Sequence, residues 1–397
     1  MKPEPAQALL AHLRARQDAM AALLADLARL ESPSHEPAAQ DPVFHRLAAE
    51  LADAGMRTRR LPGRNRRGKV SGGELWAVRR DRRPGAPAQL LLGHCDTVWP
   101  RGSLETMPVE TRDGRLSGPG VYDMKGGLVQ GIFALRALRD LGLEPAVEPA
   151  FFINSDEEIG SPESLPRIES LARRVRRVFV LEPSLGAAGD LKTRRKGSLR
   201  FTIRVFGKAA HSGLDPEKGA SAIRELARVI RWLYEKADPG RGITVNVGVV
   251  EGGLRANVVA PEARAELDIR VLASADAERL EREVLALASE TAGTPGTRVE
   301  VTGGIDRPPL EPTAGNRALF AAAQASAAEL GLSLGQGTAG GASDGSLTSR
   351  FCPTLDGLGA VGDGAHALHE HVVLARMPER AALLALLLLN PLSPPAG

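Results

Sequence analysis

Cysteine is nearly absent: the 397 residues include only Cys95 and Cys352. Two thiols this far apart exclude a disulfide framework and a cysteine-based structural zinc site, and they make intracellular chemistry the default. Aromatic residues are also scarce, at 4 %. Arginine-rich runs occur at 57–60, 64–69, 79–83 and 173–177, but a nucleic-acid surface needs such charge on one face with rings between the cations. With a formal net charge of only +3, these runs read as solvated surface and no nucleic-acid partner is expected. Long uninterrupted apolar runs are missing too. Residues 6–30 read as one amphipathic helix, in which Leu9, Leu13, Met20, Leu24 and Leu27 are interrupted by Arg14, Arg16, Asp18 and Asp26; that is not a secretion signal. The apolar stretch 381–389 is too short to span a bilayer and reads as a buried terminal helix. A cytoplasmic protein without membrane contact is expected.

The length exceeds what one hydrophobic core usually serves, which points to two domains. In the first half, short apolar runs at 89–92, 149–153 and 177–181 alternate with a helical pattern at 125–141. Apolar strands in strand–helix–strand order predict an α/β fold whose mostly parallel central sheet is flanked by helices. In such sheets, sites collect beyond the strand ends. From about residue 191 the texture changes. Alternating segments at 198–206, 243–250 and 263–271 have one wet face, and helices are predicted at 220–236 and 274–291, the latter with Ser274 as N-cap. This series predicts a smaller α+β domain with an antiparallel sheet, inserted at 193–305 into a main domain made of 1–192 and 306–397. The proline-rich segment 307–312 returns the chain to the main domain.

The residues with chemistry sit where those runs end. His94-Cys95-Asp96 follows the first strand; on an extended segment, His94 and Asp96 point the same way, so Asp96 is placed to orient a ligating imidazole. On its own the triplet more often reads as a surface pair. Asp123 lies in Gly118-Pro119-Gly120-Val121-Tyr122-Asp123-Met124-Lys125-Gly126-Gly127, where it is either a bridging carboxylate or a helix-capping aspartate. Asn154-Ser155-Asp156-Glu157-Glu158 offers adjacent acids, one for metal and one for proton transfer, or simply an acidic helix start. Glu182 follows the third strand, and His366 sits in a loop rich in glycine and imidazole. Together they are two histidines and three carboxylates without cysteine, a set suited to catalytic rather than structural zinc.

Five motifs in this order resemble the co-catalytic zinc peptidases, the family of glutamate carboxypeptidases, aminoacylases, acetylornithine deacetylases and succinyl-diaminopimelate desuccinylases. The resemblance runs from about residue 20 to the C-terminus. It implies two Zn2+ per subunit, with Co2+ or Mn2+ as substitutes. His94 and Glu182 would hold one ion, Glu158 and His366 the other, and Asp123 would bridge them next to a cis Asp123–Met124 bond. His366 is preferred to His369 and His371 because it alone follows the small-residue run and precedes Glu370 with the family's spacing. Asp96 would orient His94, and Glu157 would be the general base. Gly207-Lys208-Ala209-Ala210-His211-Ser212-Gly213 resembles the lid motif, in which His211, often reaching across a dimer interface, donates to the oxyanion. Asn257 resembles a substrate contact and Arg270 the arginine for the substrate carboxylate, although Arg270 also reads as a cross-strand partner of Glu266 or Asp268. Gly341 falls in a glycine loop expected to help hold that carboxylate. Lys192 opens a basic segment at 192–196 that either contacts an acidic side chain of the substrate or caps the domain junction.

The implied reaction is hydrolysis of the amide of an N-acyl amino acid or peptide beside a free carboxylate, with the glutamate carboxypeptidase branch first and the deacylases second. A homodimer through the inserted domain is implied as well. Two rivals come from other classes. A metal-free binding homologue would have lost a ligand, yet all five positions are filled. A Cys95 thiol hydrolase would need an activating base, and alternation turns His94 to the opposite side.

Overall fold

The computed structural model describes residues 5–63, 65–66, 69–70, 72–83 and 85–391, so Arg64, Arg67 and Gly68 of the arginine-rich run at 64–69 lie outside the described residues. The chain divides into two compact units. One comprises Met1–Thr193, Pro312–Ala339 and Ser343–Gly397; the other comprises Arg194–Glu311 and Gly340–Ala342.

The first unit is built on a six-stranded sheet, in the spatial order Met56–Pro62, Gly73–Arg79, Glu148–Asn154, Ala88–His94, Val178–Val180, Thr354–Leu355. The last three pairings are parallel and the first two antiparallel, so the sheet is mixed and mostly parallel. The sequence reading did not anticipate the two N-terminal strands. In Met56–Pro62 three arginines break the apolar run that identifies a central strand, as expected at a sheet edge, and in Gly73–Arg79 Glu74 shortens it.

The central strands are apolar because both faces are covered. Leu91, Phe151, Ile153, Phe179 and Leu181 join a core with the helices Gly126–Asp140 and Met377–Leu389. Leu90, Leu92, Ala150, Phe152, Val178 and Val180 pack on the other face with Ile168 and Leu347. Full burial of each such Leu or Phe contributes about 1.5–3 kcal/mol. The Met377–Leu389 helix is buried as expected and packs on Gly126–Asp140. Among the described residues, no helix is long and apolar enough to cross a membrane. The N-terminal segment forms two helices, Pro5–Arg14 and Gln17–Arg29, rather than one. The break lies where Arg16 turns its guanidinium back onto the His12 carbonyl (3.1 Å) and toward Asp140 (3.6 Å).

The second unit is an antiparallel sheet in the order Thr244–Gly252, Glu262–Val271, Gly197–Phe206, Arg298–Arg307. One face carries the helices Ala222–Tyr234 and Ser274–Ala286, whose apolar sides meet Leu199, Phe201, Ile203, Val205, Leu267 and Ile269. The fourth strand, Arg298–Arg307, was not read from the sequence, because its Gly303-Gly304 pair interrupts the alternation. It keeps the chain in this unit as far as Glu311, beyond the expected boundary at 305. Ser274 is not the N-cap; Ala273 holds that position, and the Ser274 N–H donates to the Glu311 carboxylate at 2.8 Å. Gly340–Ala342 also belongs here, held by the Arg195 guanidinium, which donates to the Gly341 and Ala342 carbonyls at 3.1 and 3.3 Å.

Candidate metal centre

Three parallel strands deliver four of the expected residues to one sheet edge. His94 closes the strand Ala88–His94, Glu157 and Glu158 form a short 3-10 turn just after Glu148–Asn154, and Glu182 follows Val178–Val180. A fourth loop brings Asp123 ahead of the helix Gly126–Asp140, across a cis Asp123–Met124 bond. That helix approaches closely because Gly127 has no side chain: a Cβ there would lie 1.9 Å from the Leu181 carbonyl oxygen. His366 arrives on a turn in the left-handed region, φ 60°.

These side chains converge. His94 Nε2 lies 3.4 Å from Asp123 Oδ1 and 3.4 Å from Glu182 Oε1. His366 Nε2 lies 3.5 Å from Asp123 Oδ2 and 3.1 Å from Glu158 Oε2. Asp123 therefore turns one oxygen to each histidine. Ligand atoms of His94, Asp123 and Glu158 lie within 4.8 Å of one another, as do those of His94, Glu157 and Glu182. Two ligands 2.0–2.1 Å from a shared tetrahedral ion stand about 3.3 Å apart, which is the spacing found here. His94 Nε2 and Asp123 Oδ1 are buried and form no hydrogen bond, a costly arrangement for polar atoms unless they have another partner. The set is imidazole and carboxylate with no thiolate. The residues present fit a pair of divalent cations.

Asp96 ties two of these loops together. It is fully buried; Oδ1 stands 3.3 Å from His94 Nδ1, and its two oxygens accept the backbone N–H groups of Glu157 (3.3 Å) and Glu158 (3.2 Å). Ser34 Oγ adds a third donor at 2.8 Å. With Nδ1 engaged, His94 presents Nε2 to the cluster. Lys192 Nζ stands 3.8 Å from Glu182 Oε2, a largely buried neighbour of that carboxylate.

The electrostatics follow from crowding. Burial works against a charged His94, yet Asp123, Asp96 and Glu182 together raise its pKa well above the ordinary value. Hydrogen bonding to Asp123 and Glu158 pushes His366 up to about 10. Burial raises Glu158 to about 7. Asp123 is held far below the usual carboxylate range by His366 and His94, against its burial. A cation binds deprotonated ligands, so it must displace the protons on His94 and His366 and, below about pH 7, the one on Glu158. Metal affinity is accordingly expected to strengthen as pH rises from 6 to 8, by about tenfold per unit for each proton released. Metal titrations at a series of pH values measure this, and a pH-independent affinity would contradict it.

The other expected residues belong to the second unit. His211 is exposed, and its Nδ1 accepts the N–H groups of Gly213 (3.2 Å) and Leu214 (3.1 Å). Its neutral ring therefore carries the proton on Nε2, as a donor. Asn257 lies alongside, its carbonyl accepting the Ser212 N–H at 3.1 Å. Arg270 sits at the opposite end of the strand Glu262–Val271, paired with Ser198. Its guanidinium is held by Asp268 through two contacts, 2.7 and 3.0 Å; this is one of the two partners expected beside the substrate reading, but it lies two residues away on the same strand and not across from it. Gly341 is exposed, with open space at its Cβ position.

Sequence reasoning passed over Glu370, which is 1 % exposed and accepts hydrogen bonds from four groups around the Asp123 loop. The available signal was its position four residues after His366, which served there only to choose among histidines. It also passed over Ser34 and over Asp344, which receives Asn154 Nδ2 (2.7 Å) and Ser161 Oγ (2.5 Å) and so anchors the Glu157–Glu158 loop from behind. Cys95 is buried, and burial pushes its thiol up to about 12, which removes it as a nucleophile.

A parallel-sheet edge carrying a two-histidine, multi-carboxylate cluster defines a metallohydrolase. Residues 90–390 match the model of peptidase family M20/M25/M40, and the chain belongs to that family. It is 31 % identical over 347 residues to a succinyl-diaminopimelate desuccinylase of Paracidovorax citrulli, covering 83 % of this chain and 87 % of that one. It is 26 % identical over 353 residues to carboxypeptidase G2 of a Pseudomonas strain, covering 87 % and 82 %. In fold it is similar to a tripeptidase of Staphylococcus aureus, with TM-score 0.75, 22 % identity and coverage of 94 % and 97 %. A dinuclear metal-binding peptidase of Bacillus subtilis aligns with TM-score 0.68, 15 % identity and coverage of 94 % and 99 %.

Proposed function

We propose that this chain hydrolyses the amide bond of an N-acyl amino acid or small peptide adjacent to a free carboxylate, with two zinc ions held by His94, Asp123, Glu158, Glu182 and His366. The observation that carries this reading is Asp123 facing both histidines, one through each oxygen. Bound divalent cations would polarise the scissile carbonyl and acidify a water. Glu157 is the general base: its carboxylate takes a proton from the attacking water and passes it to the leaving nitrogen as the C–N bond breaks. Asp96 fixes the ring of His94 and, through the Glu157 N–H, the turn that carries the base. His211 supplies an Nε2–H donor for the oxyanion. Asn257 and the Gly341 loop contact the substrate, and Arg270 binds its carboxylate by exchanging Asp268 for the ligand.

A glutamate-type carboxypeptidase is the first choice and an N-acyl-amino-acid deacylase the second; the two named relatives, a carboxypeptidase and a desuccinylase, support keeping both. Lys192 beside Glu182 favours a part in setting that carboxylate rather than a direct substrate contact. The test is a panel of N-acyl amino acids and dipeptides offered to zinc-, cobalt- and manganese-loaded protein, reading the released amino acid. Cleavage should require a free carboxylate beside the amide, and equal turnover of carboxylate-blocked analogues would contradict the proposal.

We also infer a cytoplasmic homodimer formed through the second unit. Within one chain, His211 and Arg270 lie at opposite ends of the small sheet, separated by about 25 Å of strand at ~3.3 Å per residue, too far for both to serve one small substrate. A partner's second unit would supply the missing group. The strand Thr244–Gly252 is a sheet edge bearing exposed Val249 and Val250, which suits pairing with a second copy. Val250→Lys is expected to convert a dimer to a monomer by light scattering and to cut turnover with it. A wild-type chain monomeric at micromolar concentration would contradict this.

A further inference from the structure

The loops carrying Asp123 and His366 are separated by more than two hundred residues, yet they are joined through one buried carboxylate. Glu370 Oε1 accepts the backbone N–H of Tyr122 at 2.9 Å and of Asp123 at 3.1 Å. Its Oε2 accepts the Gly120 N–H at 3.0 Å and the Trp99 indole N–H at 2.9 Å. All four donors are thus spent on one side chain that does not itself point a free oxygen at the cluster.

The backbone around Glu370 makes it part of the His366 turn. Its N–H donates to the Ala367 carbonyl and the Ala367 N–H to Gly364. Gly364, at φ 85°, packs so closely on this segment that a Cβ there would lie 2.8 Å from the Glu370 nitrogen. The Glu370 carbonyl accepts the Gly118 N–H at 3.3 Å, and His371–Val373 pairs with Arg115–Ser117. A shift of the Glu370 carboxylate would therefore move the Asp123 backbone relative to His366. Those two side chains stand 3.5 Å apart.

We propose that Glu370 is a positioning residue for the metal pair: it sets the Asp123 backbone against the His366 turn, so that the ion shared by Asp123, Glu158 and His366 meets its ligands at fixed spacing. This rests on the two-metal reading above. Charge-assisted acceptance of several N–H groups is the strong form of this interaction, and a glutamine cannot reproduce it. An amide oxygen can serve Tyr122 and Asp123, but its NH2 would then face the Gly120 and Trp99 donors.

The test compares wild type, Glu370→Gln and Glu370→Asp by calorimetric titration of the apo-protein with Zn2+, alongside circular dichroism and melting temperature. Wild type should bind two ions. Glu370→Gln should keep its fold while the ion at Glu158 and His366 weakens about 10–100-fold, the usual cost of losing a partner that orients ligands, and the ion at His94 and Glu182 weakens less. Glu370→Asp, which keeps the charge but reaches fewer donors, should fall between; if the glutamine variant does not fold, this one decides the matter. Two ions bound with wild-type affinity in a folded variant, whatever its melting temperature, would overturn the proposal. A wild-type chain that binds no ion pair would instead remove the two-metal reading beneath it.

Discussion

Glu157→Gln is expected to lower kcat by about 10²–10⁴-fold, the usual worth of a positioned general base, or about 3–5 kcal/mol of transition-state stabilisation. The substitution is isosteric and leaves the Glu157 N–H on Asp96, so the fold and the metal content should not change. The metal measurement matters because the Glu157 carboxylate lies among ligand atoms of His94 and Glu182. If its first role were ligation, the variant would lose an ion together with turnover. Two ions retained with turnover lost identifies a base. Turnover within about twofold of wild type would remove Glu157 from the chemistry.

The second large effect is expected at Asp123. Its oxygens address different histidines, Oδ1 toward His94 and Oδ2 toward His366, so one carboxylate serves both halves of the cluster. Asp123→Asn keeps the shape but removes the charge that holds two cations close together. Both ions should bind more weakly, by more than the roughly 100-fold that outer partners cost, and activity should disappear at metal concentrations that saturate wild type. Glu182→Gln, by contrast, should weaken mainly the ion at His94. Equal loss at one ion only in the Asp123 variant, measured by titration, would contradict a bridging role.

Much of the proposed centre is legible in sequence because three of its candidate ligands follow short apolar strands of a parallel sheet. The runs ending at His94, before Glu157–Glu158 and before Glu182 locate that edge by composition alone. His366 and Asp123 were not legible locally: each sits in a glycine-rich loop whose residues equally suit a turn, and only the order of motifs singled them out. The roles of the buried anchors were not legible, although the position of Glu370 four residues after His366 was visible. Glu370, Asp344 and Ser34 act through backbone N–H groups and side chains distant in sequence, and such pairings leave no periodic trace. The fold's misses have similar causes. Met56–Pro62 carries exposed arginines and only one buried side chain, and the buried run of Gly73–Arg79 is short and interrupted by Glu74, while Arg298–Arg307 hides behind two glycines. Arg270 is expected as a substrate contact from the family resemblance, with an ion pair as its alternative, and Lys192 from the basic segment it opens, with a cap on the domain junction as its alternative; in the folded chain each has an acidic neighbour, Asp268 and Glu182 respectively.

The central claim is that two divalent ions held by His94, Asp123, Glu158, Glu182 and His366 are required for amide hydrolysis. The most direct measurement strips the protein with a chelator, confirms that it remains folded, and follows amino-acid release while Zn2+ is added back in known molar ratio. Activity should be absent without metal, rise on titration and reach its plateau at two ions per chain. Full hydrolysis by the metal-free folded protein, or a plateau with the His94, Asp123 and His366 positions replaced by alanine, would contradict the account.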